Sequence, residues 1–146
     1  MINCNITLGP PRIVSLSDND TVVEGESVNF MCEATNDPDA IESITIRWFD
    51  NNGHRLTIDN SSITISNTME TIPNRMLIST LTINPVIHQD AGLYSCVALN
   101  HPVLMVSDTT QLTVKCKLTS SLSVHSMSYE LSPYKQFFQV ICLCIL

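Results

Sequence analysis

Three residues do most to limit how this chain can fold: Cys32, Trp48 and Cys96. The two cysteines stand 64 positions apart, and the chain's only tryptophan lies 16 positions after the first. Each sits in a stretch with a period of two. Val28, Phe30 and Cys32 alternate with Asn29 and Met31; Ile44, Ile46 and Trp48 alternate with Thr45, Arg47 and Phe49; Tyr94 and Cys96 keep the same step within residues 93–99. Successive side chains on a strand point to opposite faces, so all three residues fall on the inward faces of three separate strands.

The rest of the chain from Pro11 reads the same way. Arg12–Leu16 and residues 21–23 are edge strands, separated by Asp18-Asn19-Asp20, and Glu24-Gly25-Glu26 is a turn. Asn36-Asp37-Pro38-Asp39 is a loop. Asn51-Asn52-Gly53 predicts a type I′ hairpin turn, because Asn-Gly tolerates the positive φ such a turn demands, with residues 55–58 as the return strand. Ile63 and Ile65 alternate again, as do Leu77, Ser79, Leu81 and Ile83 up to the break at Asn84-Pro85. Residues 67–74 read as a long connection with no apolar period. Residues 93–99 and 111–115 complete the set, with Leu112 and Val114 inward. His101 to Val106 forms the tip before the last strand; its apolar run is a docking patch or, as favoured here, the start of that strand. No helical period of useful length occurs, which predicts an all-β domain of short strands.

Charge narrows the partners. The whole chain has 14 acids and 7 bases, and residues 12–115 hold 13 of the acids and five of the bases, a net of −8. Such a surface repels phosphate backbones and anionic lipids, which excludes nucleic acid as an expected partner. Catalytic patterns are missing. His54, His88, His101 and His125 make no His-x-x-x-His pair, the four glycines make no phosphate loop, and Cys142-x-Cys144 lacks zinc-knuckle spacing. The acidic clusters at Asp18–Asp20 and Asp37–Asp39 match no calcium loop and read as solvated turns. No enzyme activity, metal or cofactor is expected.

The stretches Val23-Glu24-Gly25-Glu26-Ser27-Val28, Cys32-Glu33-Ala34, Ile46-Arg47-Trp48-Phe49, Leu81-Thr82-Ile83 and Asp90 to Asn100 together resemble an immunoglobulin superfamily domain of the I-set type. The resemblance covers residues 11–115. It implies a Greek-key β-sandwich in which Cys32 and Cys96 form an inter-sheet disulfide, Trp48 packs on the sulfurs, and the Tyr94 hydroxyl returns to a backbone group upstream to pin the corner that begins at Asp90. Many such domains pair an aspartate at the position of Asp90 with a base in the fourth strand, but residues 63–66 offer none.

The function this implies is a non-catalytic extracellular recognition module of a cell-surface adhesion protein or receptor, binding a protein ligand or a homophilic partner. Two other readings stand beside it: an intracellular I-set spacer of a filament-type protein, and an ectodomain fragment of a receptor kinase or phosphatase. Asn5, Asn19 and Asn60 each begin an Asn-x-Ser/Thr triplet and are candidate glycosylation sites in an oxidising compartment.

Around the domain, residues 1–10 read as a linker or the remnant of a preceding domain, residues 11–116 as the domain, and residues 117–146 as a Ser-rich tail. Residues 1–7 lack the basic and apolar regions of a secretory leader, so the sequence reads as a fragment. Cys4 and Cys116 are expected to be free or paired with missing sequence, because the first and last strands leave a sandwich at opposite ends. The last ten residues, 137–146, are too few to span a bilayer. With Ser126-Met127-Ser128 and a polar spacer before them they have the minimal form of a GPI signal, although a non-homologous transcript end is the favoured reading. Membrane association would come through missing sequence or this tail.

Overall fold

The computed structural model describes residues 9–36, 43–58, 62–70, 76–101 and 104–117. Among the described residues there are eight strands: β1 Arg12–Leu16, β2 Asp20–Val23, β3 Val28–Thr35, β4 Thr45–Phe49, β5 Ile63–Glu70, β6 Met76–Ile83, β7 Gly92–His101 and β8 Leu104–Lys115. They form two four-stranded sheets, in the orders β1-β3-β6-β5 and β2-β8-β7-β4. Every pairing is antiparallel except β2 with β8. The N-terminal segment thus contributes to both sheets: β1 lies on one and β2 crosses to the other.

The period of two read from the sequence becomes the core. Val28, Phe30, Cys32 and Ala34 of β3, Leu77, Leu81 and Ile83 of β6, and Tyr94, Cys96 and Ala98 of β7 are buried between the sheets. Ile44 and Ile46, Trp48 of β4, and Leu112 and Val114 of β8 close the layer from the other side. Alternate residues on the same strands face solvent or the outer faces, which is why strands rather than helices form: only a period of two sorts these side chains into one buried and one outward row.

Three local expectations change. The hairpin after β4 is a three-residue loop, not a two-residue one. Asp50 N–H donates to His54 O at 3.0 Å, Gly53 N–H donates to Asp50 O at 3.0 Å, and Gly53 takes the left-handed position at φ +77°. Asp50 explains the preference: its Oδ1 accepts from the N–H groups of Asn52 and His54 at 2.9 and 2.8 Å, tightening a turn with one more residue than Asn-Gly alone suggests. Residues 55–58 do not form a strand. A single bridge joins Arg55 to Phe49, and the chain then peels away, so β4 remains an edge. Residues 67–70, expected in a connection, instead extend β5 and pair with Met76–Ser79 of β6. Their hydrophobic pattern is weak because this half of β5 projects past the core, with residues from Ser66 to Glu70 exposed.

Leu104, Met105 and Val106 lie in β8, in line with the favoured reading of that apolar run as the start of the last strand, and the strand continues from them into residues 111–115 because its pairing with β7 reaches out to His101. Cys116, expected free or paired beyond the sequence, is disulfide-bonded, and its partner lies outside the described residues. Cys4, Cys142 and Cys144 lie outside them also, as do the candidate anchor segment and most of the tail.

Candidate functional site

The centre of the sandwich is built around Cys32, Trp48 and Cys96. Cys32 and Cys96 are bonded across the two sheets, with Cα atoms 6.5 Å apart, and both are fully buried. Trp48 pairs in register with Cys96 on the neighbouring strand and is also fully buried. A buried indole N–H needs an acceptor. It donates to the Ser79 hydroxyl at 3.0 Å. Ser79 is itself buried and pairs in register with Cys32. The role of Ser79 was missed in the sequence, although the signal was there: one hydroxyl interrupts the inward apolar series Leu77, Leu81, Ile83.

The corner into β7 is closed by two bonds. The Tyr94 hydroxyl donates to Asp90 O at 2.7 Å, and the Asp90 carboxylate accepts from Ile87 N–H at 2.8 Å. Asp90 therefore stabilises its own turn and makes no ion pair with a described residue. Tyr94 packs against Phe30 with ring centroids 5.8 Å apart. Burial, then the negative charges of Asp90 and Asp50, push the Tyr94 phenol up from 10.0 to about 12. A group whose folded pKa is raised contributes stability that is whole below its unfolded value and is lost as pH rises through the folded value. We therefore expect the stability advantage of the wild type over Tyr94→Phe to hold below pH 10 and to shrink between pH 10 and about 12, as read by urea midpoints across that range. A constant advantage would contradict it. At the β4 hairpin, burial opposes ionisation of Asp50, but the N–H groups of His54 and Asn52 and the His54 imidazole outweigh it and hold the carboxyl below its ordinary value.

These residues make a frame that holds the two sheets together. Among the described residues no group of three or more His, Cys, Asp or Glu could hold a metal ion, and no helix is long and apolar enough to cross a membrane. Of the glycosylation candidates, Asn19 is exposed, and its Oδ1 accepts from Gln111 N–H at 2.9 Å. Asn5 and Asn60 lie outside the described residues.

Surface chemistry sets the sheets apart. On the β4-β7-β8 face the outward positions are Thr45, Arg47 and Phe49, then Leu93, Ser95, Val97 and Leu99, then Met105, Ser107, Thr109 and Gln111. Register aligns Met105, Leu99 and Thr45 in one row, Ser107, Val97 and Arg47 in the next, and Thr109, Ser95 and Phe49 in a third. Leu93 and Met105 are 45% and 57% exposed. Arg47 is the one charge among these positions; the outward row of β8 continues through Thr113 to Lys115, and Arg55 lies beside β4 on the same side. On the other sheet the outward row is mainly hydroxyls: Thr64, Ser66 and Thr68 of β5 beside Thr80 and Thr82 of β6. At the end where β3 and β7 leave the sheets, the buried Asn100 amide donates to Gly9 O at 3.1 Å and to Asn36 Oδ1 at 2.8 Å, tying the entering chain to two strand ends.

Two sheets of this strand order, bridged through β3 and β7 and braced by a tryptophan and a corner tyrosine, define an immunoglobulin-type sandwich. The family description "immunoglobulin domain" matches residues 10–100, and the chain belongs to that family. No curated protein matches it. Among solved structures, the N-terminal Ig1-2 module of the Drosophila receptor protein tyrosine phosphatase DLAR is similar at 31% identity and a TM-score of 0.62, over 74% of this chain and 50% of that one. The N-terminal eight Ig domains of Down syndrome cell adhesion molecule match at 24% identity and a TM-score of 0.62, over 73% of this chain and 13% of that one. Dpr2 Ig1-Ig2 in complex with DIP-Theta Ig1-Ig3 matches at 19% identity and a TM-score of 0.59, over 74% and 33%. The last two share the fold alone. The chain spans half or less of the length of each of these.

Proposed function

We propose that this domain is a non-catalytic, extracellular protein-recognition module of a cell-surface receptor or adhesion protein, and that it binds through the outer face of β4, β7 and β8. The observation that carries this reading is the charge distribution. In a span with a net charge of −8, that face presents Leu93, Val97, Leu99, Met105 and Phe49 around Arg47, with no acidic side chain among the outward positions of the three strands; Arg55 beside β4 and Lys115 at the end of β8 are its other charges. Depletion of charge with enrichment of apolar and aromatic groups marks the centre of a protein interface. The Cys32–Cys96 bridge supports an oxidising compartment, and the likeness to a receptor phosphatase's Ig module supports a receptor or adhesion setting. The exposed Asn19 supports glycosylation there.

The test is site-specific photo-crosslinking in the natural protein on its own cells. A benzophenone amino acid at Met105 is expected to capture a protein partner, or a second copy, where the same probe at Thr64 on the opposite sheet captures none. Capture from Thr64 alone would overturn the face. Non-reducing peptide mapping of the same sample is expected to find Cys32–Cys96 bridged and a glycan on Asn19. Free thiols and a bare Asn19 would replace the extracellular reading with an intracellular spacer.

A further inference from the structure

Beyond that face, β4 has a strand edge that the described residues cover only in part, flanked by positive charge. β4 ends its sheet, and the far edge of β4 is only partly covered. Leu56 N–H donates to Trp48 O at 2.9 Å and Asp50 N–H to His54 O at 3.0 Å, which shows that even-numbered residues turn their backbone groups away from β7. By the period of the strand, Ile46 and the preceding Ile44 do the same, and no described segment pairs with them. Where the return chain peels away, two adjoining hollows of about 280 and 380 Å³ separate the β4 edge from β5 and β6; Ile46, Arg47, Arg55 and Asn67 line both. Neither guanidinium is ion-paired with a described residue. Arg55 bridges Phe49, so it projects to the same side of the sheet as Arg47.

We propose that this edge is a second binding site, taking an extended, acidic peptide segment of a partner protein by strand addition. The backbone groups of Ile44 and Ile46 supply the pairing that an exposed edge offers. A segment in line with Arg55-Leu56 would set alternate side chains beside Arg47 and Arg55, where carboxylates form charge-assisted, bidentate bonds. Charge decides the occupant: two unpaired arginines in a strongly acidic span favour an acidic strand. A second copy pairing antiparallel to β4 would bring its own Arg47 to the same seam, and like-charge repulsion disfavours the register that sets Arg47 opposite Arg47.

The experiment titrates the oxidised 146-residue chain into a fluorescein-labelled, end-capped peptide, Glu-Val-Glu-Val-Glu-Val-Glu, and into its Lys-Val counterpart. Saturable binding of the acidic peptide is expected, at least tenfold tighter than the basic one, with NMR shifts at the Ile44 and Ile46 amides. The double variant Arg47→Glu, Arg55→Glu is expected to weaken it tenfold or more while keeping the wild-type melting temperature, because both side chains are exposed. N-methylation of alternate peptide residues is expected to abolish binding in one register only. Met105→Glu, which alters the proposed face, is expected to leave peptide binding unchanged, so failure of the face and failure of the edge are distinguishable. No saturable binding, equal binding of the two peptides, unmoved Ile44 and Ile46 amides, or loss of binding in Met105→Glu would each overturn the site. So would self-association through β4 in sedimentation, which would make a second copy the occupant.

Discussion

Replacing Cys32 and Cys96 together by alanine is expected to lower the unfolding free energy by about 4 kcal/mol, because the bridge closes a 64-residue loop in the unfolded chain. The loss is a large part of the roughly 5–15 kcal/mol that holds a typical domain together. The location of the sulfurs adds to it. Cys32 and Cys96 lie on different sheets and are fully buried, so the alanines also leave unfilled space beside Trp48. Urea unfolding of wild type and double variant, both followed by tryptophan fluorescence, reads the difference. A change below about 1 kcal/mol would mean that packing alone holds the sheets and that the chain-entropy argument fails here.

Trp48→Ala is expected to cost about 3–5 kcal/mol, the range for removing a large buried aromatic from a packed core. Ser79→Ala is expected to cost about 1–3 kcal/mol, since it leaves a desolvated indole N–H without an acceptor. The two effects belong to one bond, the 3.0 Å contact between Trp48 Nε1 and Ser79 Oγ. In a Trp48→Phe background the indole is gone, and Ser79→Ala then becomes neutral or stabilising because it removes a buried hydroxyl. The coupling, about 1 kcal/mol or more, is measured by a double-mutant cycle of urea unfolding. Additive effects would show that Ser79 acts only as a small residue that lets the sheets close.

Much of this architecture was legible in the chain because a strand writes its burial into every second residue. Val28, Phe30 and Cys32, Ile44, Ile46 and Trp48, and Leu77, Ser79, Leu81 and Ile83 each announce one inward row, and each row is buried where expected. The extension of β5 was not legible. Its residues 67–70 pair with β6 but stay exposed, so no alternation of buried and exposed side chains records them. The hairpin loop was misjudged for a related reason: Asn-Gly is a local preference, and the Asp50 carboxylate, which collects two N–H groups of the turn, adds a residue to it. The partners of Ser79 and Asn100 are also invisible locally, since each lies more than 30 positions away.

The all-β class, the inward rows and the acidic character of the domain are written along the chain, because periodicity and charge are properties of neighbouring residues. Which strands share a sheet, that β2 runs parallel to β8, that β4 ends its sheet, and that one outer face gathers apolar side chains around Arg47 emerge only on folding. Those outcomes depend on pairing between segments distant along the chain, where the free energy of a strand rests on what lies beside it and not on its own residues alone.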